Sequence, residues 1–197
     1  MIRHKLLKNV AWIAEIFATN LRRMLGMSNY RKWTSVENLS PNWDSRTELI
    51  AALIPAGSSV IEFGAGRMVL KHSLRMGCSY TPSDLVDRGE GTLVCDLNAA
   101  SLPHFPTHDI AVFSGVLEYV NDVPRLVSHL SKSVDIIIAS YGSTDFVPKI
   151  PQRRFYGWVN DHSSNEFLSL FSEAGFHCED VVTWREAQIV ARFLKKK

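Results

Sequence analysis

Three acids and a pair of glycines have the residue types and spacing that could do chemistry here. Glu62 stands two residues before Gly64-Ala65-Gly66, Asp84 follows about 22 residues beyond Glu62, and Asp96 comes after that. A glycine pair with one residue between lets the backbone turn sharply and brings a ligand close with no Cβ in the way. Acids around such a turn suit a ligand carrying positive charge, because opposite charges attract strongly where water is scarce. A pyrophosphate would ask instead for helix-terminal amides and positive charge. The spacing of Asp84 is close to the roughly 20 residues at which an acid meets ribose hydroxyls in open α/β sheets. An acid that ends a strand can equally be a plain turn former, and Asp84 and Asp96 both carry that reading too.

These residues need elements to hold them. Val60, Ile61 and Phe63 read as a short buried strand that breaks at Gly64, and a helix is expected over Leu70 to Met76, closed by Gly77. Strand, glycine turn and helix in that order form the ligand crevice of an open parallel sheet. Ser79–Asp84, Thr92–Asp96, Asp109–Phe113 and Val134–Tyr141 read as further strands, the last β-branched and buried. Ser45 is expected to cap a helix from Arg46 to Leu53, and helices are expected over Pro124–Leu130 and from Ser164 to Ala174. Phe176–Thr183 and Ala187–Phe193 alternate as a closing pair of strands. Residues 142–161, with Pro148, Pro151, Arg153 and Arg154, read as a long connection, and such loops are often functional.

The segment Glu62-Phe63-Gly64-Ala65-Gly66 resembles the Glu/Asp-x-Gly-x-Gly loop of class I S-adenosylmethionine-dependent methyltransferases. That family often has a third glycine where Met68 stands here. Ser114-Gly115-Val116-Leu117-Glu118-Tyr119-Val120 is similar to the family's strand-four segment, which often ends Leu-Glu-His-Val, with Tyr119 in place of the histidine. Phe171-Ser172-Glu173-Ala174-Gly175-Phe176 resembles its final helix-to-strand corner. The resemblance covers about residues 45 to 195. It implies an α/β fold, a doubly wound, mostly parallel seven-stranded Rossmann-like sheet with helices on both faces. It also implies S-adenosyl-L-methionine as cofactor and methyl transfer to an O or N acceptor, a small molecule. The implied cofactor set is Glu62, Gly64, Ala65, Gly66, Asp84, Leu85, Asp96, Leu97, Ser114 and Gly115. Within it Glu62, Asp84 and Asp96 serve the amino-acid, ribose and adenine ends, with Leu97 against the ring.

Such a transfer mainly needs proximity and alignment. If a base acts, Glu118, Tyr119 and His162 are the candidates, with Tyr141 and Asp161 nearby in the sequence order, and no spacing singles one out. Arg153 and Arg154 could meet an anionic acceptor or lie in a solvated loop. Two other classes stay open: a cofactor-binding regulatory or assembly protein without turnover, and a dinucleotide-dependent oxidoreductase. The second is disfavoured because the third glycine of the dinucleotide fingerprint falls on Val69.

The chain has 197 residues, 46% of them hydrophobic, and a net charge of +2. That charge is too small to point to nucleic acid. Cys78, Cys95 and Cys178 lack metal-ligand spacing and read as free thiols of a reducing, cytoplasmic compartment, with no metal site. Residues 1–44 form an N-terminal appendage to a domain over 45–197. Within it Leu6, Val10, Ile13, Ala14, Phe17, Leu21, Met24 and Leu25 make one apolar helical stripe, with Lys5, Lys8, Arg22 and Arg23 off it. Lys8, Glu15 and Asn20 interrupt any spanning run. The stripe is expected to pack on the domain; a basic amphipathic helix can also lie on an anionic membrane surface. Tyr30, Trp33 and Trp43 sit in an irregular stretch where they could cap a ligand or anchor the appendage. The Lys195-Lys196-Lys197 ending reads as a solvated tail.

Overall fold

The computed structural model describes residues 2–89 and 91–196, with side chains from Asn9 onward. Strands β1 (Ser59–Phe63), β2 (Ser79–Asp84), β3 (Leu93–Val94), β4 (His108–Phe113) and β5 (Val134–Tyr141) are parallel neighbours in the order β3-β2-β1-β4-β5. Strand β7 (Gln188–Lys195) lies antiparallel to β5, and β6 (Phe176–Trp184) pairs antiparallel with β7 at the edge. The sheet therefore reverses its order between β1 and β4, where Val60 pairs with Ile110 and Phe63 with Phe113. That reversal opens a crevice at the carboxyl ends of the two strands.

Strand alternation divides the interior into two cores, because successive side chains point to opposite faces. Ile61, Phe63, Ala111, Phe113, Ile137 and Ala139 face one core. There they meet helices α5 (Val123–Leu130) and α7 (Ser164–Glu173) through Leu126, Val127, Leu130, Phe167 and Phe171. Phe171 stacks on Phe193 at 3.7 Å between centroids, and Tyr141 on Phe167 at 4.3 Å. Val60, Ile110, Val112, Ile138 and Val190 face the other core, closed by Ile50, Ala51 and Ile54 of α3 (Asp44–Ala52) and its exit and by Leu70 of α4 (Val69–Ser73).

Several expected boundaries move. Helix α4 is one turn and a half and ends before Leu74, so the expected helix to Met76 is cut short. Helix α3 starts at Asp44 with Trp43 in the cap position, and Ser45, expected as the cap, accepts the Trp184 indole N–H at 3.1 Å instead. For α7 the cap is Ser163, in a reciprocal capping box with Glu166. The connection 142–161 is not structureless: it holds α6 (Ile150–Tyr156), started by Pro151 in the first turn and ended by Gly157. The expected lysine tail is half built into the sheet, since Lys195 closes β7 and the Lys196 amide bonds the Gly175 carbonyl; Lys197 lies outside the described residues.

The largest departure is the N-terminal helix α1 (Ile2–Leu25), followed by the short α2 (Tyr30–Trp33). Its stripe does not pack on the protein. Val10, Ile13, Phe17, Leu21 and Met24 are exposed, Phe17 by 70% and Met24 by 82%. The opposite, polar side makes the contact with α6: Thr19 is fully buried, and Asn20 Oδ1 accepts from Arg154 Nε at 3.2 Å. The hydrogen-bonding groups of α6 select that side, because buried polar groups need partners more than apolar ones need burial at a single site. Leu6, Lys5 and Lys8 lie outside the residues whose side chains are described.

Candidate active site

The crevice beyond β1 and β4 is a cavity of about 650 Å³. Its floor comes from strand ends and the glycine turn, and its roof from residues 28–43. Glu62, Gly64, Ala65, Gly66, Asp84, Leu85, Leu97, Ser114 and Gly115 all line it. Of the ten residues expected at the cofactor, only Asp96 is absent from the wall.

The glycine turn owes its shape to its neighbours. Gly64 has φ 71°, and a Cβ there would stand 2.5 Å from Val116 Cγ2, so both conformation and space require glycine. Gly66 donates its amide to Asp84 Oδ2 at 2.8 Å, which fixes the turn against the end of β2. Met68, where a third glycine would stand, takes φ 56° and ψ 34°, left-handed values that glycine adopts at little cost. Its side chain is buried, and that packing holds the residue there.

Glu62 is almost fully buried, and Tyr80 donates its hydroxyl to Glu62 Oε2 at 2.6 Å. Burial pushes its carboxyl up to about 8, with the Tyr80 hydrogen bond pulling the other way. Tyr80 pairs with Val60 across the β1–β2 ladder, so it shares a sheet face with Glu62 two residues on. Asp84 is engaged through both oxygens: Oδ1 accepts the Leu85 amide at 2.7 Å, and Arg88 Nε forms a buried ion pair with Oδ2 at 3.2 Å. Arg88 also donates to the Trp33 and Thr34 carbonyls. One cation thus ties the acid of β2 to the roof. Asp96 turns away from the cavity and accepts from Ser28 Oγ at 2.6 Å and from the Asn98 amide at 2.9 Å, while Cys95, Leu97 and Asn98 line the wall.

The other end of the cavity is aromatic. Trp33 meets Tyr119 edge-on at 4.7 Å and tilts against Trp43 at 6.4 Å, and Tyr156 and Trp158 complete the wall. Trp158 also explains Gly142, where a Cβ would stand 2.5 Å from its ring. Beneath lies a polar floor that the apolar pattern of α3 conceals in the sequence. Buried Arg46 donates to Ser114 Oγ, the Ser114 carbonyl and Gln188 Oε1. It also lies against the rings of Trp43 and Trp184. Trp43, three residues before Arg46, was the near signal; Trp184 on the other side is distant in the chain.

The candidate bases fall in different places. Glu118 Oε1 accepts from the Gly142 amide at 2.8 Å and Gln188 Nε2 at 2.7 Å, and Oε2 is buried without a hydrogen-bond partner. Burial pushes its carboxyl up, against the pull of Arg46 and Arg153. Tyr119 lines the cavity, accepts the Trp158 indole N–H at 3.2 Å, and has its hydroxyl pushed well up by burial. His162 and Asp161 sit outside this cavity, beside Asn121 and Asn160, and Tyr141 is in the core with its hydroxyl on Asn160. Arg153 and Arg154, read as acceptor-binding or solvated, are neither. Both are buried, share Asp161 as ion partner, and bond the carbonyls of Gly142, Asn160 and Trp158. Helix α6 turns them inward, where an arginine's five donors can satisfy loop carbonyls on both sides of it.

No family model and no curated protein matches this sequence. Solved structures do match its fold. The mitomycin 7-O-methyltransferase MmcR aligns with a TM-score of 0.67 and 13% identity over 93% of this chain and 68% of that one. The fold is that of the class I S-adenosylmethionine-dependent methyltransferases. The 1,6-didemethyltoxoflavin-N1-methyltransferase of Burkholderia thailandensis, solved with its substrate and S-adenosylhomocysteine, aligns at TM-score 0.64 and 17% identity, over 92% of this chain and 89% of that one. CalO1, a methyltransferase of calicheamicin biosynthesis solved with S-adenosylhomocysteine, aligns at 0.63 and 13% identity over 81% of this chain. This chain spans 56% of the length of CalO1. Within the class I methyltransferase fold, the glycine turn, Glu62 and Asp84 stand at the carboxyl ends of β1 and β2, beside the order reversal.

Proposed function

We propose that this protein is an S-adenosylmethionine-dependent methyltransferase acting on an O or N atom of a small molecule. The observation that carries the reading is Glu62, a buried acid in the cavity wall beside a glycine turn with no Cβ in the ligand's way. A buried carboxyl ionises readily only beside a cation, and the methionine ammonium would supply one. The donor set fits the rest of the molecule as well. Gly64–Gly66 would pass along the methionine chain, Asp84 and Leu85 would meet the ribose, and Leu97 and Val116 would offer apolar surface to the adenine. Two cations of the cavity wall, Arg67 and Arg88, are paired with Asp44 and Asp84, which disfavours a pyrophosphate there. When bound, S-adenosylmethionine supplies an electrophilic methyl group on a sulfonium.

The chain's own part is to hold the acceptor in line and keep water out, which proximity alone makes effective. Trp33, Trp43, Tyr119, Tyr156 and Trp158 favour a flat, largely apolar acceptor, since aromatic rings bury large area and stack. Calorimetry with S-adenosylmethionine and with NAD, followed by a labelled-methyl screen of small aromatic acceptors, tests the reading. Binding of NAD alone would point to an oxidoreductase. Binding of S-adenosylmethionine with no turnover on any acceptor would leave a cofactor-binding regulatory or assembly protein.

A further inference from the structure

We propose that helix α1 seats this protein on an anionic lipid surface through its exposed apolar stripe. The inference goes beyond methyl transfer and does not depend on it. Helix α1 runs 24 residues, about 36 Å at 1.5 Å per residue. Along it Val10, Ile13, Phe17, Leu21 and Met24 recur at spacings of three and four, all exposed, so they form one continuous line. Surface patches of that size and continuity mark interaction sites, whereas scattered apolar residues do not.

The helix cannot hide the stripe by rolling over. Its other side is fixed: Thr19 is buried, and Asn20 accepts from buried Arg154 of α6 at 3.2 Å. Trp12 adds a ring contact to Phe155 of α6 at 6.3 Å. Rotation would break the Asn20–Arg154 bond and the Trp12–Phe155 contact. The stripe is thus presented outward by a polar attachment, the reverse of a helix whose stripe covers a core.

Charge identifies what it meets. The helix sequence holds Arg3, Lys5, Lys8, Arg22 and Arg23 against Glu15 alone. A basic helix with one apolar face lies in the plane of an anionic bilayer, its apolar side among the acyl chains. A second copy laid on the same stripe would bring two such basic helices together, so repulsion disfavours that partner. No helix among the described residues is long and apolar enough to cross a membrane, so the contact is with one face of the bilayer. Phe155 joins the two regions, since it touches Trp12 and also lines the cavity.

The test uses the full chain with vesicles of phosphatidylserine in phosphatidylcholine, and with phosphatidylcholine alone. Sedimentation with the anionic vesicles only is expected, falling away as salt rises from about 0.1 M to about 1 M and the screening length shrinks from roughly 10 Å to 3 Å. Ile13→Glu with Phe17→Glu should abolish sedimentation with no change in melting temperature, because both side chains are already in water. Arg23→Glu should weaken it on the order of fivefold per charge removed. Full-chain protein that ignores anionic vesicles overturns the proposal. So does binding that survives the double substitution. A solution dimer that the double substitution breaks, with no vesicle binding by either protein, would give the stripe to a second copy instead.

Discussion

Asp84 Oδ2 accepts the backbone amide of Gly66 at 2.8 Å, so the acid at the end of β2 shapes the turn at the end of β1. The same oxygen pairs with buried Arg88, which in turn holds the roof at Trp33 and Thr34. One carboxylate therefore serves the turn, the roof and, in the proposed function, the ribose.

Removing it should show in stability as well as affinity. Asp84→Ala leaves Arg88 buried and unpaired, a loss typically of about 3–5 kcal/mol. Asp84→Asn combined with Arg88→Met should recover part of that stability, since no buried charge is then left alone. Cofactor affinity should stay low in both variants. Denaturant melts and calorimetry on the same samples check this; an Asp84→Ala protein as stable as the parent would show that the pair contributes nothing.

Glu62 makes cofactor binding depend on pH. Below its value of about 8 the carboxyl keeps its proton, and an ammonium must displace it. Affinity for S-adenosylmethionine should therefore rise between about pH 6 and pH 7.5, by up to about tenfold per unit for one proton released. Calorimetry in two buffers of different ionisation heat reads that proton directly. Glu62→Gln should bind more weakly and with no slope. The sign for folding is opposite: Glu62 contributes fully below the ordinary glutamate value, and its contribution is lost as pH rises through about 8.

Gly64→Ala should cost about 1–3 kcal/mol, through its positive φ and a Cβ 2.5 Å from Val116. Adding Val116→Ala relieves the clash and leaves the backbone strain, so only part of the loss should return. Equal melting temperatures for Gly64→Ala alone and for the parent would contradict the geometry.

Arg153→Ala is expected to lower stability by roughly 3 kcal/mol or more, because three oxygen partners and Asp161 lose a buried cation. Burial works against ionisation of Asp161, and Arg154 and Arg153 together outweigh it, holding its carboxyl below the usual aspartate value. That stabilisation is present above the unfolded value and is lost as pH falls through the folded one. The gap between the acid melts of wild type and Arg153→Ala should narrow there, since the bonds to the Gly142 and Asn160 carbonyls do not titrate. A variant that melts normally and loses only acceptor affinity would return Arg153 to the acceptor site.

The strands and the glycine turn could be read from the chain because each rests on local pattern. Val60-Ile61 and Asp109–Phe113 are buried runs bounded by turn residues, and Gly64-Ala65-Gly66 sits directly after one of them. Strand ends at the crevice follow from that alternation, so Glu62 and Asp84 could be named as candidates in advance, while Ser114 came from the family resemblance alone. Only the tertiary structure decided the rest. The direction of Arg46, Arg153 and Arg154 depends on carbonyls and rings brought from distant segments, where the need to satisfy buried donors outweighs the polarity of the residue. Asp96 faces Ser28 because the roof folds back on it. The N-terminal stripe carries the clearest lesson. Its 3.6-residue period specified a helix with one apolar face, but which face meets the protein was settled by the bond from Arg154 to Asn20 and the burial of Thr19, and periodicity holds no information about partners.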